Sequence, residues 1–148
     1  MSVMPEGVSL AMDMHVTYTD NNRSKEGVYL DWTANSVTFI QHILSTSSAR
    51  TGMAQVQQRD GTLTTANTVG SPYAPAVNLP MSWASAHTAS SLIGASDGVA
   101  FSPPTEPTTL PDLSTTDLDL GQKFTGNIKS LKMWISELNQ DQLESITS

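Results

Sequence analysis

The sequence predicts an all-β protein: an antiparallel sandwich of two sheets with one short C-terminal helix. Three observations carry that reading. Val8 to Tyr18 alternates strictly, placing Val8, Leu10, Met12, Met14, Val16 and Tyr18 on one face, which is the period of a half-buried strand. Turn signals then recur about every 8–12 residues as far as Gly121, a spacing suited to short strands. Charged residues are only 14% of the chain while Ser and Thr supply about a quarter, a balance that favours a hydroxyl-rich β surface over helix.

At 148 residues the chain can bury a single core of ordinary size. Residues 1–7 read as a lead-in ending at Gly7, and residues 8–148 as one domain. After the first strand, Asp20-Asn21-Asn22-Arg23 is a turn by composition. Val28 to Trp32 and Val37 to Leu44 are the next strands, joined near Ala34-Asn35, and a polar loop runs from Thr46 to Thr51. Met53 to Gln58 and Thr62 to Val69 flank Asp60-Gly61, the commonest kind of hairpin dipeptide. Gly70 to Pro80 holds three prolines and reads as a crossing loop, because proline has no N–H to give a sheet ladder.

Met81 to Ala86 and Ser90 to Ile93 are short strands, and Gly94 to Gly98 turns the chain into Val99-Ala100-Phe101. Residues 102–111 carry four prolines and cross again. Leu118 to Leu120 precedes Gly121, and Phe124 opens a closing strand that runs through Ile128, Leu131, Met133 and Ile135. This strand is expected to lie beside the first one. The helix that follows has a full start signal. Asn139 caps, Gln142 is its capping-box partner, and Leu138 with Leu143 form the hydrophobic staple, so Asn139 to Thr147 should cover one end of the core.

Several function classes are disfavoured. Net charge is −7, and the densest basic pairs are Arg23 with Lys25 and Lys129 with Lys132, so no face is basic enough for nucleic acid. There is no cysteine for a disulfide or a thiolate metal site. No apolar run reaches the roughly 18 residues of a membrane span, and no signal-peptide pattern opens the chain. Synthesis in the cytoplasm without membrane insertion is the expectation.

Gly94-Ala95-Ser96-Asp97-Gly98 spells G-x-S-x-G, but a nucleophile elbow needs a helix after it and a histidine later in the chain. Prolines follow instead, and the last histidine is His87, so a glycine-rich hairpin turn accounts for the letters. His15, His42 and His87 share no metal-ligand spacing, and each alternates opposite the stronger apolar set, which predicts solvent-facing side chains. No D-x-D-x-D-G loop supports calcium, and no carboxylate pair recommends itself for glycoside hydrolysis. No cofactor and no enzymatic activity are expected. Trp32 and Trp83 are assigned to the core, and Trp134 opposes Met133 and Ile135.

Taken together, residues 7–147 resemble the concanavalin A-like, laminin-G-like jelly-roll modules of bacteriophage virion proteins. The likeness rests on Ser91-Leu92-Ile93-Gly94, on Thr109 to Ser114 and on Thr116 to Gly121. The closing pattern adds Phe124, Gly126, Ile128, Leu131, Trp134, Leu138, Asp141, Leu143 and Thr147. The resemblance implies a virion surface module of capsid or tail, made in the host bacterial cytoplasm. Because Met1 stands almost directly before the first strand, a decoration role is expected, with other virion proteins as partners and a homo-oligomer, for instance a trimer. The alternative is a carbohydrate-binding adhesin for host surface glycans. Its contacts would come from Asp20, Asn21, Asn22 and Arg23, from Arg50, and from Tyr73 and Asn78. No motif in the chain matches the family's calcium or sugar sites.

Overall fold

The computed structural model describes residues 4–18, 27–45, 52–72, 77–121 and 126–148, with side chains at 17–18, 45, 71–72 and 77–79 excepted. Ten strands and one helix form in those residues: β1 (Gly7–Tyr18), β2 (Gly27–Asn35), β3 (Thr38–Ser45), β4 (Met53–Arg59), β5 (Ala66–Pro72), β6 (Val77–Thr88), β7 (Leu92–Ser96), β8 (Val99–Ala100), β9 (Leu118–Leu120), β10 (Gly126–Trp134) and α1 (Gln140–Thr147). They make two five-stranded antiparallel sheets. The first runs β10-β1-β6-β7-β8 and the second β5-β4-β3-β2-β9. This is the two-sheet jelly-roll sandwich with a C-terminal helix that the sequence predicts.

The core lies between the sheets, as period-2 burial requires. The alternating apolar set of β1, from Val8 to Val16, is at most 1% exposed and meets Leu30, Ile40 and Val56 of the second sheet. Trp83 is fully buried and takes the ring of Tyr29 edge-on, at 5.0 Å and 87°. Trp32, 3% exposed, is also core, so both assignments hold. β10 pairs with β1 in the expected antiparallel sense, from Ser9 opposite Trp134 to Val16 opposite Gly126. Phe124, expected to open that strand, lies outside the described residues.

Four local expectations need correction. Pro80 sits inside β6 rather than in a loop. There β6 has β1 on one side, opposite His15, while β7 pairs only from Trp83 onward, so the missing N–H faces an unpaired edge. The return strand after Asp60-Gly61 begins at Ala66, not Thr62, because the 60–65 connection is wider than a two-residue turn. The turn in Gly94–Gly98 is only Asp97-Gly98, whose φ values of 47° and 76° suit a tight hairpin between β7 and β8. Gly94 itself is strand. A Cβ there would stand 2.6 Å from the Phe101 ring, and one on Gly70 would stand 2.5 Å from the same ring, so the two glycines make the slot that Phe101 fills.

The fourth correction concerns the helix. The capping box forms as read, with Asn139 Oδ1 accepting from the Gln142 N–H and Gln142 Oε1 from the Asn139 N–H, both at 2.9 Å. However, α1 covers the outer face of the first sheet rather than an end of the core. Leu143, fully buried, packs on Ala11, Ala84, Ala86 and Ala95, with Leu138 and Trp134 beside it. Small side chains on β1, β6 and β7 leave the depression that a helix needs. Burying one leucine in this way contributes about 2 kcal/mol.

Candidate functional site

Two groups of polar side chains deserve a chemical reading, one inside the sandwich and one on its surface. The inner group overturns the expectation of solvent-facing histidines. His42 and His87 are fully buried, and only His15 stays half-buried on the outward side of β1. The apolar residues of β3 and β6 fall on both faces, so the weaker set could turn inward with the histidines.

The hydrogen bonds of this group define a direction. Gln58 Nε2 donates to the carbonyls of Thr88 and Thr109, both at 2.9 Å, which leaves Gln58 Oε1 to accept from His87 Nδ1 at 3.0 Å. His87 Nε2 therefore carries no proton and accepts from Ser85 Oγ at 2.8 Å. Ser85 Oγ in turn accepts from His42 Nε2 at 2.6 Å, so His42 Nδ1 is left as a bare lone pair with no partner. Burial holds His42 down from the ordinary 6.5 to about 3, and burial together with His42 holds His87 well below that ordinary value. Both rings are neutral.

Ser85, His87 and Gln58 stand in the bonding order of a hydrolytic triad, with an amide where the acid belongs. All three are at most 1% exposed, so no substrate reaches the hydroxyl. Ser96, the serine of G-x-S-x-G, ends a strand that turns straight into β8. Neither serine has the setting of a nucleophile.

The surface group is a row on the outer face of the second sheet. Strand register places Asp119 beside Asp31, Asp31 beside Gln41, Gln41 beside Gln57, and Gln57 beside Asn67. One polar residue from each of the five strands thus forms a line roughly 19 Å long at the usual strand spacing. Asp119 is exposed and the other four are half-buried. Next to the row, Thr33, Phe39 and Arg59 form a shorter parallel line.

Asp31 Oδ1 accepts from Thr33 Oγ1 and from Gln41 Nε2, the latter at 2.8 Å. Its Oδ2, Gln41 Oε1, the whole side-chain amide of Gln57 and the terminal nitrogens of Arg59 have no hydrogen-bond partner among the described residues. Arg59 Nε alone is tied, to the Gly61 carbonyl at 3.3 Å. An acceptor, two amides and a cation held by rigid strands can take hydroxyl, amide and carboxylate groups of a ligand without rearranging.

Of the residues expected to make contact, Asp20, Asn21, Asn22, Arg23, Arg50 and Tyr73 lie outside the described residues. Asn78 is in β6, between the positions paired with Tyr18 and Val16, and its side chain is not described. The strand ends that carry these segments do come together. Gly27 pairs with Leu44, Ser45 with Met53, Met53 with Pro72, and Tyr18 with Val77, so all three connections leave the same end of the sandwich. The outer row escaped sequence reading, because a line across five strands depends on register. Its one local signal is the polar residue between two inward-facing ones in each of β2, β3 and β4, namely Asp31, Gln41 and Gln57. Among the described residues, no cluster of three potential metal ligands forms, and no helix is long and apolar enough to cross a membrane.

No family model and no curated protein sequence matches the chain. Solved structures do match in fold. The CBM40 of the Ruminococcus gnavus IT-sialidase, bound to α2,6-sialyllactose, superposes with a TM-score of 0.69 at 11% identity, over 97% of this chain and 84% of that one. The binding domain of botulinum neurotoxin DC, in complex with SialylT, gives 0.70 at 8% identity over 97% of this chain and 36% of that one. A heptameric SAP-like pentraxin from Limulus polyphemus gives 0.63 at 9% identity, covering 100% and 73%. At these identities the likeness establishes the β-sandwich fold. The first two are a CBM40 and a toxin binding domain, each in complex with a sialyl ligand.

Proposed function

We propose that this protein is a non-catalytic carbohydrate-binding module that holds a glycan against the outer face of its second sheet. The carrying observation is the row of Asp31, Gln41 and Gln57, in which Asp31 Oδ2, Gln41 Oε1 and the Gln57 amide have no partner among the described residues. The fold supports the same reading, since sandwiches of this shape bind sialyllactose in their own complexes. A sialylated glycan is the ligand class favoured here, with Arg59 taking its carboxylate and the amides taking its hydroxyl and acyl groups. Calcium plays no part in this arrangement. A glycan array probed with the full chain, with and without calcium, should give sialylated hits that Gln57→Ala and Arg59→Ala each abolish or weaken. An empty array, or hits indifferent to both substitutions, would remove this assignment.

A bacteriophage virion is the setting we propose, as a surface module of capsid or tail. The residues supporting it are Thr109 to Gly121 and the closing pattern through Thr147, which resemble phage jelly-roll modules. Mass spectrometry of purified virions should find the chain at a defined copy number, and its absence there would discard the setting.

A further inference from the structure

We propose that the buried chain of Gln58, His87, Ser85 and His42 is an acid-sensitive latch between the two sheets. A proton placed on His42 Nδ1 releases it and parts β3 and β4 from β6.

The argument starts from where a proton can go. Along the chain every polar side-chain atom has a partner except one. Gln58 Oε1 takes the His87 proton, His87 Nε2 takes the Ser85 hydroxyl, and Ser85 Oγ takes the His42 proton. The remaining lone pair, His42 Nδ1, is the single buried side-chain nitrogen or oxygen without a partner among the described residues. Protonation there makes an imidazolium in the sandwich interior, 6.4 Å from the stacked ring of His87 and 6.3 Å from Trp83. Protonating His87 instead would make its Nε2 a donor to Ser85 Oγ, which leaves the Ser85 proton without an acceptor along the chain.

Nothing described nearby compensates the charge. The buried polar residues include Ser, Thr, Gln and His but no Asp or Glu. Of the elements packed around the chain, β2 presents the Tyr29 hydroxyl and β6 presents His87. The inward faces of β1, β4 and β7 offer no titratable group, and Asp112 beside Leu113 points to solvent. An uncompensated buried cation is tolerated only by opening to water.

The sign follows from linkage. Both rings are neutral when folded and gain protons when unfolded below about pH 6.5, so the unfolded state binds more protons and stability rises with pH. The latch is intact above that range. Below it, the folded-to-unfolded ratio falls about tenfold per pH unit for each histidine, or about a hundredfold for the pair.

The latch lies directly beneath the surface row. His42 follows Gln41 in β3, and Gln58 stands between Gln57 and Arg59 in β4. Opening the inner side therefore undoes the register that aligns the outer side. Loss of glycan on acidification rests on the saccharide-binding reading; the opening itself does not.

Thermal unfolding of the full chain, followed by tryptophan fluorescence from about pH 7.5 to about 4.5, tests the latch without any glycan. The midpoint of the wild type should fall steeply below about pH 6.5. His42→Gln, which retains a donor for Ser85 but does not titrate, should lose about half of that pH dependence. Ser85→Ala should lower the midpoint at every pH and leave the dependence in place. His15 is common to all three proteins and cancels in the comparison. Equal pH dependence in wild type and His42→Gln would overturn the latch. So would a His42 ring resonance that titrates within an intact native fold above about pH 5, an NMR measurement that decides the matter should His42→Gln not fold. Glycan binding that fails while the pH dependence stands would sink the saccharide reading alone.

Discussion

The two outer faces of this sandwich are built to opposite ends. On the first sheet, Ser9 and Asp13 are matched internally and the central alanines are covered, while Val99 and Met133 on its edge strands stay exposed. Ser9 Oγ donates to the Ser136 carbonyl and accepts from the Leu138 N–H, at 2.8 and 2.9 Å, pinning the segment that leads into α1. Asp13 accepts from Ser82 and Ser130, and those hydroxyls hold its carboxyl below the usual range. Leu143 then seals the alanines of β1, β6 and β7. On the second sheet, the corresponding row of Asp31, Gln41 and Gln57 offers acceptors and donors outward. A face whose bonds close on themselves serves the fold. One with bonds to give is available to a partner.

The largest expected effect is on the covered face. Leu143→Asp puts a carboxylate where no cation or donor waits, among four alanines, and should cost about 4 kcal/mol. Calorimetry should see the melting temperature fall by about 12 °C. Any folded fraction should bind glycan as before, because α1 packs on the first sheet, against β1, β6, β7 and β8. A loss under about 1 kcal/mol would mean the helix is not a structural cover. Asn139→Ala is the milder version. It removes the acceptor for the Gln142 N–H and should cost about 1 kcal/mol in urea unfolding, again with no change in binding. An Asn139→Ala protein that lost glycan affinity would break the division between the faces.

This contrast was only half legible in the sequence. β1 and α1 were readable because their signals are local: strict alternation from Val8 to Tyr18, and a capping box within four residues of Asn139. Which side of β3 faces inward was not. Ile40, His42 and Leu44 turn into the core, yet Phe39 and Ile43 on the other side are also nearly buried, at 8% and 3% exposure. With both sides apolar, period-2 reasoning has no preferred answer, and alternation alone points the histidines outward. β6 sets the same trap, since Ala84 and Ala86 look like modest core residues until α1 is known to cover them. The surface row depends on five registers at once, which no single strand encodes. The loop residues that the sequence offers as contacts, Asp20 to Arg23, Arg50 and Tyr73, lie outside the described ones.

The smallest expected change in stability sharpens the comparison most. Gln57 lies inside the row, between Gln41 and Asn67, and its side chain has no hydrogen bond among the described residues, so Gln57→Ala should alter unfolding free energy by no more than about 0.5 kcal/mol. Asp31→Ala should do more, about 1 kcal/mol, because it strips the acceptor shared by Thr33 and Gln41. Binding should follow the reverse order of warning. Loss of one amide hydrogen bond to a sugar is worth about 1 kcal/mol, or roughly a fivefold weaker Kd, with the fold untouched. Isothermal titration with a sialylated oligosaccharide beside a urea denaturation curve would separate the two quantities. A Gln57→Ala protein that unfolds early and binds normally would show that the open face is structural after all, and that the functional surface lies at the end of the sandwich where the three loops emerge.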